Sequence, residues 1–214
     1  MKILAKKLIR KLARIYNLRY LFSVNKDNSL KAEGLLWRCK ITCKGKGNKI
    51  IIKKNALLRN CHLVIYGNDN LIEFGERASC HKGEIWIEDD NNKVTVGDRT
   101  GLCGKIPLAC IEGTRIQIGE DCLFSSDIVF RTGDSHSVLD SEGKRINPSK
   151  SIIIGNHVWV GNRVMIGKGV EIANDSIVGM GSVVTKSIGE GNVVIAGVPA
   201  KICKKDINWS SKRI

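Results

Sequence analysis

The residues best suited to chemistry stand in one polar stretch, residues 131–152, RTGDSHSVLDSEGKRINPSKSI. It is rich in turn formers and holds Asp134, Ser135 and His136 in succession. A histidine titrates close to neutral pH, so it can take a proton from an alcohol and return one to a leaving group. His136 is the candidate general base. Asp134 could fix the imidazole by a hydrogen bond, bind hydroxyls of a second reactant, or simply make an Asx turn. Ser126, Asp127, Arg131, Lys144 and Arg145 lie in or beside the stretch and are candidates for gripping that reactant. Cys103 and Cys122 have no evident base beside them and are expected to pack in the core. His62, His81 and His157 read as structural, and no C-x-x-C pair occurs, so no metal site is expected.

A loop of this kind works only when a rigid scaffold holds it. From residue 154 the sequence divides into sixes: IGNHVW, VGNRVM, IGKGVE, IANDSI, VGMGSV and VTKSIG. The first positions are Ile154, Val160, Ile166, Ile172, Val178 and Val184; the second is glycine or alanine in all but the last. A period of six fits neither a helix nor a hairpin. It describes flat strand segments joined by sharp corners, three to a triangular coil, with the aliphatic stacked inside. The phase extends back to Ile118–Leu123, where Cys122 takes a small inward position. Further upstream Ile52, Phe74, Val96 and Ile118 recur every 22 residues instead of every 18. Asn48, Asn68, Asn70, Asn91 and Asn92 precede those strands, which predicts coils widened by small polar turns. The expectation is an all-β parallel solenoid over residues 34–200, interrupted once by the inserted loop 131–152. Residues 1–33 are assigned to a helix and linker, and 201–214 to a tail.

The scaffold is basic, with 35 Lys and Arg against 21 Asp and Glu, so its partners should be anionic. Aromatics are scarce and glycines number 22, which excludes collagen-like, disordered and disulfide-miniprotein classes. Lys2, Lys6, Lys7, Arg10, Lys11, Arg14 and Arg19 stand in residues 1–22 without one acid. Among them Ile3, Leu4, Leu8, Leu12, Ile15 and Leu18 recur at helical spacing. Two readings stay open: an interfacial helix on an anionic membrane, or a helix packing its stripe on the main domain or a sister subunit. With no export signal among these residues, the eight cysteines read as reduced thiols in a cytoplasmic protein, one able to sit on the inner membrane face. Net charge alone favours nucleic acid, but no reading motif accompanies it, so no nucleic-acid partner is expected.

The segments Ile154–Asn162, Val178–Lys186 and Ala196–Lys201 resemble the hexapeptide-repeat acyltransferases, whose fold is the left-handed β-helix. The likeness is greatest to the galactoside and maltose acetyltransferases and the O-acetyltransferases of bacterial surface polysaccharides. It is specific over 116–204 and general over 34–115. It implies acetyl-CoA as acyl donor without a metal, a carbohydrate acceptor, polysaccharide biosynthesis and a homotrimer whose site is shared by two chains. His136 matches the family's catalytic base, and the hydroxyl attacks the thioester directly. Trp159 matches a tryptophan near the acetyl end, able to donate its indole N–H or wall off water. Asn162, Gly179, Met180, Thr185 and Lys186 match positions lining the coenzyme groove, and Lys201 and Lys204 stand where relatives place arginines near the nucleotide phosphates. The alternatives are an amino-sugar N-acetyltransferase, an antibiotic acetyltransferase, or a noncatalytic solenoid that binds membrane or glycan.

Overall fold

The computed structural model describes residues 11–212, and over them the chain is a left-handed parallel β-helix of about seven turns behind one short helix. Each turn lays one strand on each of three faces. The first face holds seven strands: Ser29–Ala32, Lys49–Ile52, Leu71–Phe74, Lys93–Val96, Arg115–Ile118, Ile152–Ile154 and Glu171–Ile172. The second runs from Leu35–Trp37 through Leu123–Phe124 and Trp159–Val160 to Val194–Gly197. The third runs from Lys40–Lys44 through His62–Tyr66 and Val129–Arg131 to Met165–Ile166 and Val183–Val184. Two long strands, Ser79–Glu88 and Gly101–Cys110, bend across the corner between the second and third faces. Gly104 makes one of those bends at φ +143°, and a Cβ there would lie 2.5 Å from that of Ser126. Only glycine fits.

Alternate residues of each strand point inward and stack on their copies one turn away. Ile50, Ile72, Val94, Ile116 and Ile152 form one such column, and Phe74, Val96, Ile118 and Ile154 part of the next, all essentially sealed from water. Each side chain contributes about 1.5–3 kcal/mol by leaving water, so the hexads both shape and stabilise the coil.

The register explains the two periods. Lys49 pairs with Leu71 and Leu71 with Lys93, steps of 22, whereas Ile153 pairs with Glu171, a step of 18. The additional residues sit at the third corner, between the third face and the next first-face strand. There Asn48, Asn70 and Asn92 form a buried ladder. Asn48 Oδ1 accepts the Asn70 N–H at 3.0 Å, Asn70 Oδ1 accepts the Asn92 N–H at 2.8 Å, and Asn92 Oδ1 accepts the Thr114 N–H at 3.0 Å. The turns at these asparagines widen the coils as expected.

Three features differ from expectation. The solenoid begins at Ser29, inside the segment assigned to helix and linker, because Leu30 and Ala32 already pack on the core. The tail is also ordered: Ala200–Lys204 pairs antiparallel with Val194–Gly197, and Ile207 and Asn192 exchange hydrogen bonds. Cys103 is exposed on the outer face, whereas Cys122 is buried, its thiol pushed up to about 11 chiefly by burial. All eight cysteines are free thiols. Of the N-terminal stripe, Ile3, Leu4 and Leu8 lie outside the described residues. Leu12, Ile15 and Leu18 border the first coils but are each more than half exposed, so their own domain does not cover that part of the stripe.

Candidate active site

The inserted loop leaves the third face after Arg131 and returns at Ile152, at the same third corner as the asparagine ladder. Thr132 continues that ladder. Its hydroxyl meets that of Thr114 at 2.8 Å and accepts the Ile111 N–H, and its carbonyl accepts the Lys150 N–H at 2.8 Å. The two ends of the loop are thereby tied together. Gly133 follows in so tight a place that a Cβ would lie 2.3 Å from Ser149 Oγ. Ser135 takes a positive φ of 62°, which turns the chain between Asp134 and His136.

Asn147 organises the centre. Its amide donates to Asp134 Oδ2 and to the His136 carbonyl, each at 2.8 Å, and its Oδ1 accepts the Val138 N–H at 2.7 Å. Lys168, from the turn below, reaches up to the same Asp134 oxygen and to the Asn147 carbonyl. Lys168 first, then the Asn147 amide, hold the Asp134 carboxyl below the usual aspartate range. Asp134 thus serves as a fixed anion that braces the loop, and its carboxylate is not bonded to the imidazole. His136 is exposed, with its backbone held on both sides and its ring making no hydrogen bond to the described residues.

The rest of the loop is a small hairpin. Leu139 bridges Arg145, Asp140 Oδ1 accepts the N–H groups of Glu142 and Lys144, and Gly143 turns at φ +79°. Arg145 pairs with Glu112 at 2.7 Å and holds that carboxyl low, so this arginine fastens the hairpin to the solenoid. Lys144 stands exposed at the tip, and Val138, Leu139 and Ile146 expose apolar side chains. Arg131 borders a cleft of about 330 Å³ beside the loop, together with Glu84, Trp86, Glu88 and Ser135.

The remaining candidates lie elsewhere on the prism. Ser126, Asp127, Asn162, Gly179 and Met180 line the second corner, between the second and third faces, where Asn162 Nδ2 donates to Ser126 Oγ at 3.1 Å. Trp159 is on the second face leading to that corner. Thr185 and Lys186 are at the third corner, one turn beyond Lys168. Lys201 and Lys204 are exposed on the final antiparallel strand. The chain needs roughly 15 Å to cross the third face from Ser126 to Arg131. The base of the loop and the Asn162 corner thus stand on opposite edges of the third face, and no hydrogen bond among the described residues joins the loop to that corner. His157 pairs with Asp175 at 2.9 Å and stacks on Trp209 at 4.3 Å; Trp209 also lies 6.0 Å from Trp159 and donates its indole N–H to the His157 carbonyl.

Lys168, Asn147 and Trp209 escaped the sequence reading. Lys168 occupies a variable place in its hexad, and Asn147 is one polar residue among many. Trp209 carried the one usable signal: a large aromatic in a polar tail of an aromatic-poor chain.

Comparisons with known proteins agree with this geometry. A family model described as bacterial transferase hexapeptide (six repeats) matches residues 151–186. The polysialic acid O-acetyltransferase of Neisseria meningitidis is 35% identical over 198 residues, covering 88% of this chain and 87% of that protein. A polysialic acid O-acetyltransferase of Escherichia coli O1:K1 is 34% identical over 130 residues; the match covers 60% of this chain and only 41% of that longer protein. The crystal structure of the polySia-specific acetyltransferase NeuO superposes with a TM-score of 0.63 at 27% identity, over 88% of this chain and 84% of that one. With its solenoid, its single inserted loop and a relative matched along nearly its whole length, the chain belongs to the hexapeptide-repeat O-acetyltransferase family.

Proposed function

We propose that the protein transfers an acetyl group from acetyl-CoA to a hydroxyl of an anionic bacterial surface glycan of the polysialic acid kind. The observation that carries the reading is the presentation of His136. Ladder bonds, Asn147 and the Asp134–Lys168 pair hold its backbone, while its imidazole stays exposed and, among the described residues, unbonded. Such a ring accepts the hydroxyl proton as the oxygen attacks the thioester carbonyl. Backbone N–H groups at the coil corners stabilise the oxyanion, and the protonated imidazole returns its proton to the departing thiolate. Asp134 and Lys168 act as positioning residues, since neither is bonded to the ring.

The donor belongs along the corner of Asn162, Gly179 and Met180, with Trp159 at its acetyl end, Lys201 and Lys204 suited to phosphate oxygens, and Lys186, on the His136 corner, reaching it from the neighbouring chain. Because one chain keeps that corner and His136 apart, the complete site combines His136 of one chain with the groove of a neighbour in a closed trimer. The exposed Val138, Leu139 and Ile146 fit a hairpin reaching the neighbouring chain. The names of the relatives and the net charge of +14 support an anionic acceptor. The test is release of coenzyme thiol from acetyl-CoA with polysialic acid and neutral oligosaccharides as acceptors, wild type beside His136→Ala. Acceptor-dependent release by the wild type alone supports the reading. Equal release by both proteins removes His136 as base, and acetyl-CoA that does not bind removes the donor assignment.

A further inference from the structure

The helix before the solenoid is turned inward by two hydrogen-bonding residues, Asn17 and Tyr20, and not by its apolar stripe. Residues 11–17 are helical and run into a 3₁₀ segment, Leu18–Ser23. Ala13, Asn17 and Tyr20 are the buried residues of this stretch. Asn17 donates to the Gly34 carbonyl at 2.7 Å and accepts the Leu36 N–H at 3.1 Å, satisfying an open edge of the first coil. The Tyr20 hydroxyl accepts the Cys39 N–H at 3.0 Å, and the Tyr16 ring stacks on Trp37 at 5.1 Å. These contacts set the rotation of the helix about its axis. The consequence is an apolar row facing out: Leu12 is 56% exposed, Ile15 55%, Leu18 55% and Phe22 95%. The row continues onto exposed Trp37 and Leu57, beside an open apolar cleft of about 640 Å³. A contiguous patch of this kind marks a surface that something covers.

The charges beside it select the cover. Lys11, Arg14 and Arg19 flank the row, and residues 1–22 carry seven basic side chains and no acidic one. A second copy meeting this face with the same face would set like charge on like, and any other face belongs to a chain of net charge +14. An anionic lipid surface offers hydrocarbon to the row and opposite charge to its flanks. None of the helices among the described residues is long and apolar enough to cross a membrane, which suits a helix lying in the interface. Tryptophan, here Trp37, favours that depth.

We propose that residues 11–22, together with Trp37, dock the protein on an anionic phospholipid bilayer. Docking follows from this helix and its charges, independently of the acyl-transfer reading. The test is co-sedimentation of the full chain with vesicles of phosphatidylcholine alone or mixed with phosphatidylglycerol. Binding to the mixed vesicles should exceed binding to neutral ones by about ten-fold or more and weaken as salt rises. Leu18→Glu with Phe22→Glu should lose the binding while keeping melting temperature and oligomeric mass, since both side chains are exposed. Lys11→Gln, Arg14→Gln and Arg19→Gln together should remove the preference for anionic lipid. Failure of the wild type to bind mixed vesicles overturns the proposal, as does unchanged binding in both variants. A change of oligomeric mass in Leu18→Glu with Phe22→Glu would also overturn it, assigning the face to contacts between copies.

Discussion

The coils before residue 115 and the coil carrying residues 131–152 both add residues at the third corner, and they use them differently. In the upper coils the additions turn inward as Asn48, Asn70 and Asn92, buried and bonded to one another. In the later coil only Thr132 joins the ladder, and the residues after it rise as an exposed hairpin holding His136. The same corner therefore yields a structural spine or a chemical loop. What decides is whether the added polar groups find partners within the stack or are tied only at their base. Buried polar groups with full partners rigidify; a loop anchored at both ends presents its tip.

Substitutions at four positions would break or sharpen that contrast. The largest effect is expected from His136→Ala, which should cut turnover by about 10²–10⁴-fold while leaving the melting temperature unchanged. A matching loss of stability would mean that the loop is part of the spine. Asn70→Ala should do the opposite. It strands the Asn92 N–H and the Asp89 carbonyl, costing about 2–3 kcal/mol in denaturant unfolding, with turnover per folded molecule preserved.

Lys168→Met should lower kcat/KM by about ten-fold, with Lys168→Arg restoring most of it, if bracing of Asp134 positions His136. The pH dependence has a definite sign. Lys168 keeps the Asp134 carboxyl below its ordinary value, so the pair contributes fully above the unfolded pKa of about 3.9 and fades as pH falls through the lower folded value. Wild-type loop order, followed by the His136 ring resonances, should persist to lower pH than in Lys168→Met. The gain is small, because Asp134 is nearly half exposed. Smallest of all, Trp209→Ala should cost about 1 kcal/mol by removing its stack on His157 and its indole hydrogen bond. No shift in melting temperature would show that the tail adds nothing to the scaffold.

The hexads were legible because an inward aliphatic every six residues and a small corner residue after it are local demands. Each coil must meet them within its own text. The widened coils were legible from Asn48, Asn70 and Asn92 for the same reason. The loop and His136 stood out as the one break in that rhythm. What stayed hidden depends on partners far along the chain. Lys168 meets Asp134 only because the turns stack, and Trp209 returns over His157 from 52 residues away. Cys103 has the small apolar side chain of a core residue, but it follows the inward Leu102 and so takes the outer face of its strand. The rotation of the N-terminal helix was equally hidden, since Asn17 and Tyr20 choose the inward face by hydrogen bonds that no hydrophobic period records.

The central claim is that His136 and the groove of Asn162, Gly179 and Met180 work together only across two chains. It is tested most directly by mixing two inactive variants, His136→Ala and Met180→Glu, after unfolding and joint refolding. In the proposed trimer, random mixing puts an intact His136 against an intact groove at about a quarter of the interfaces, so about a quarter of wild-type turnover should return. Turnover no greater than the sum of the separately refolded variants would contradict the account and place the whole reaction on a single chain.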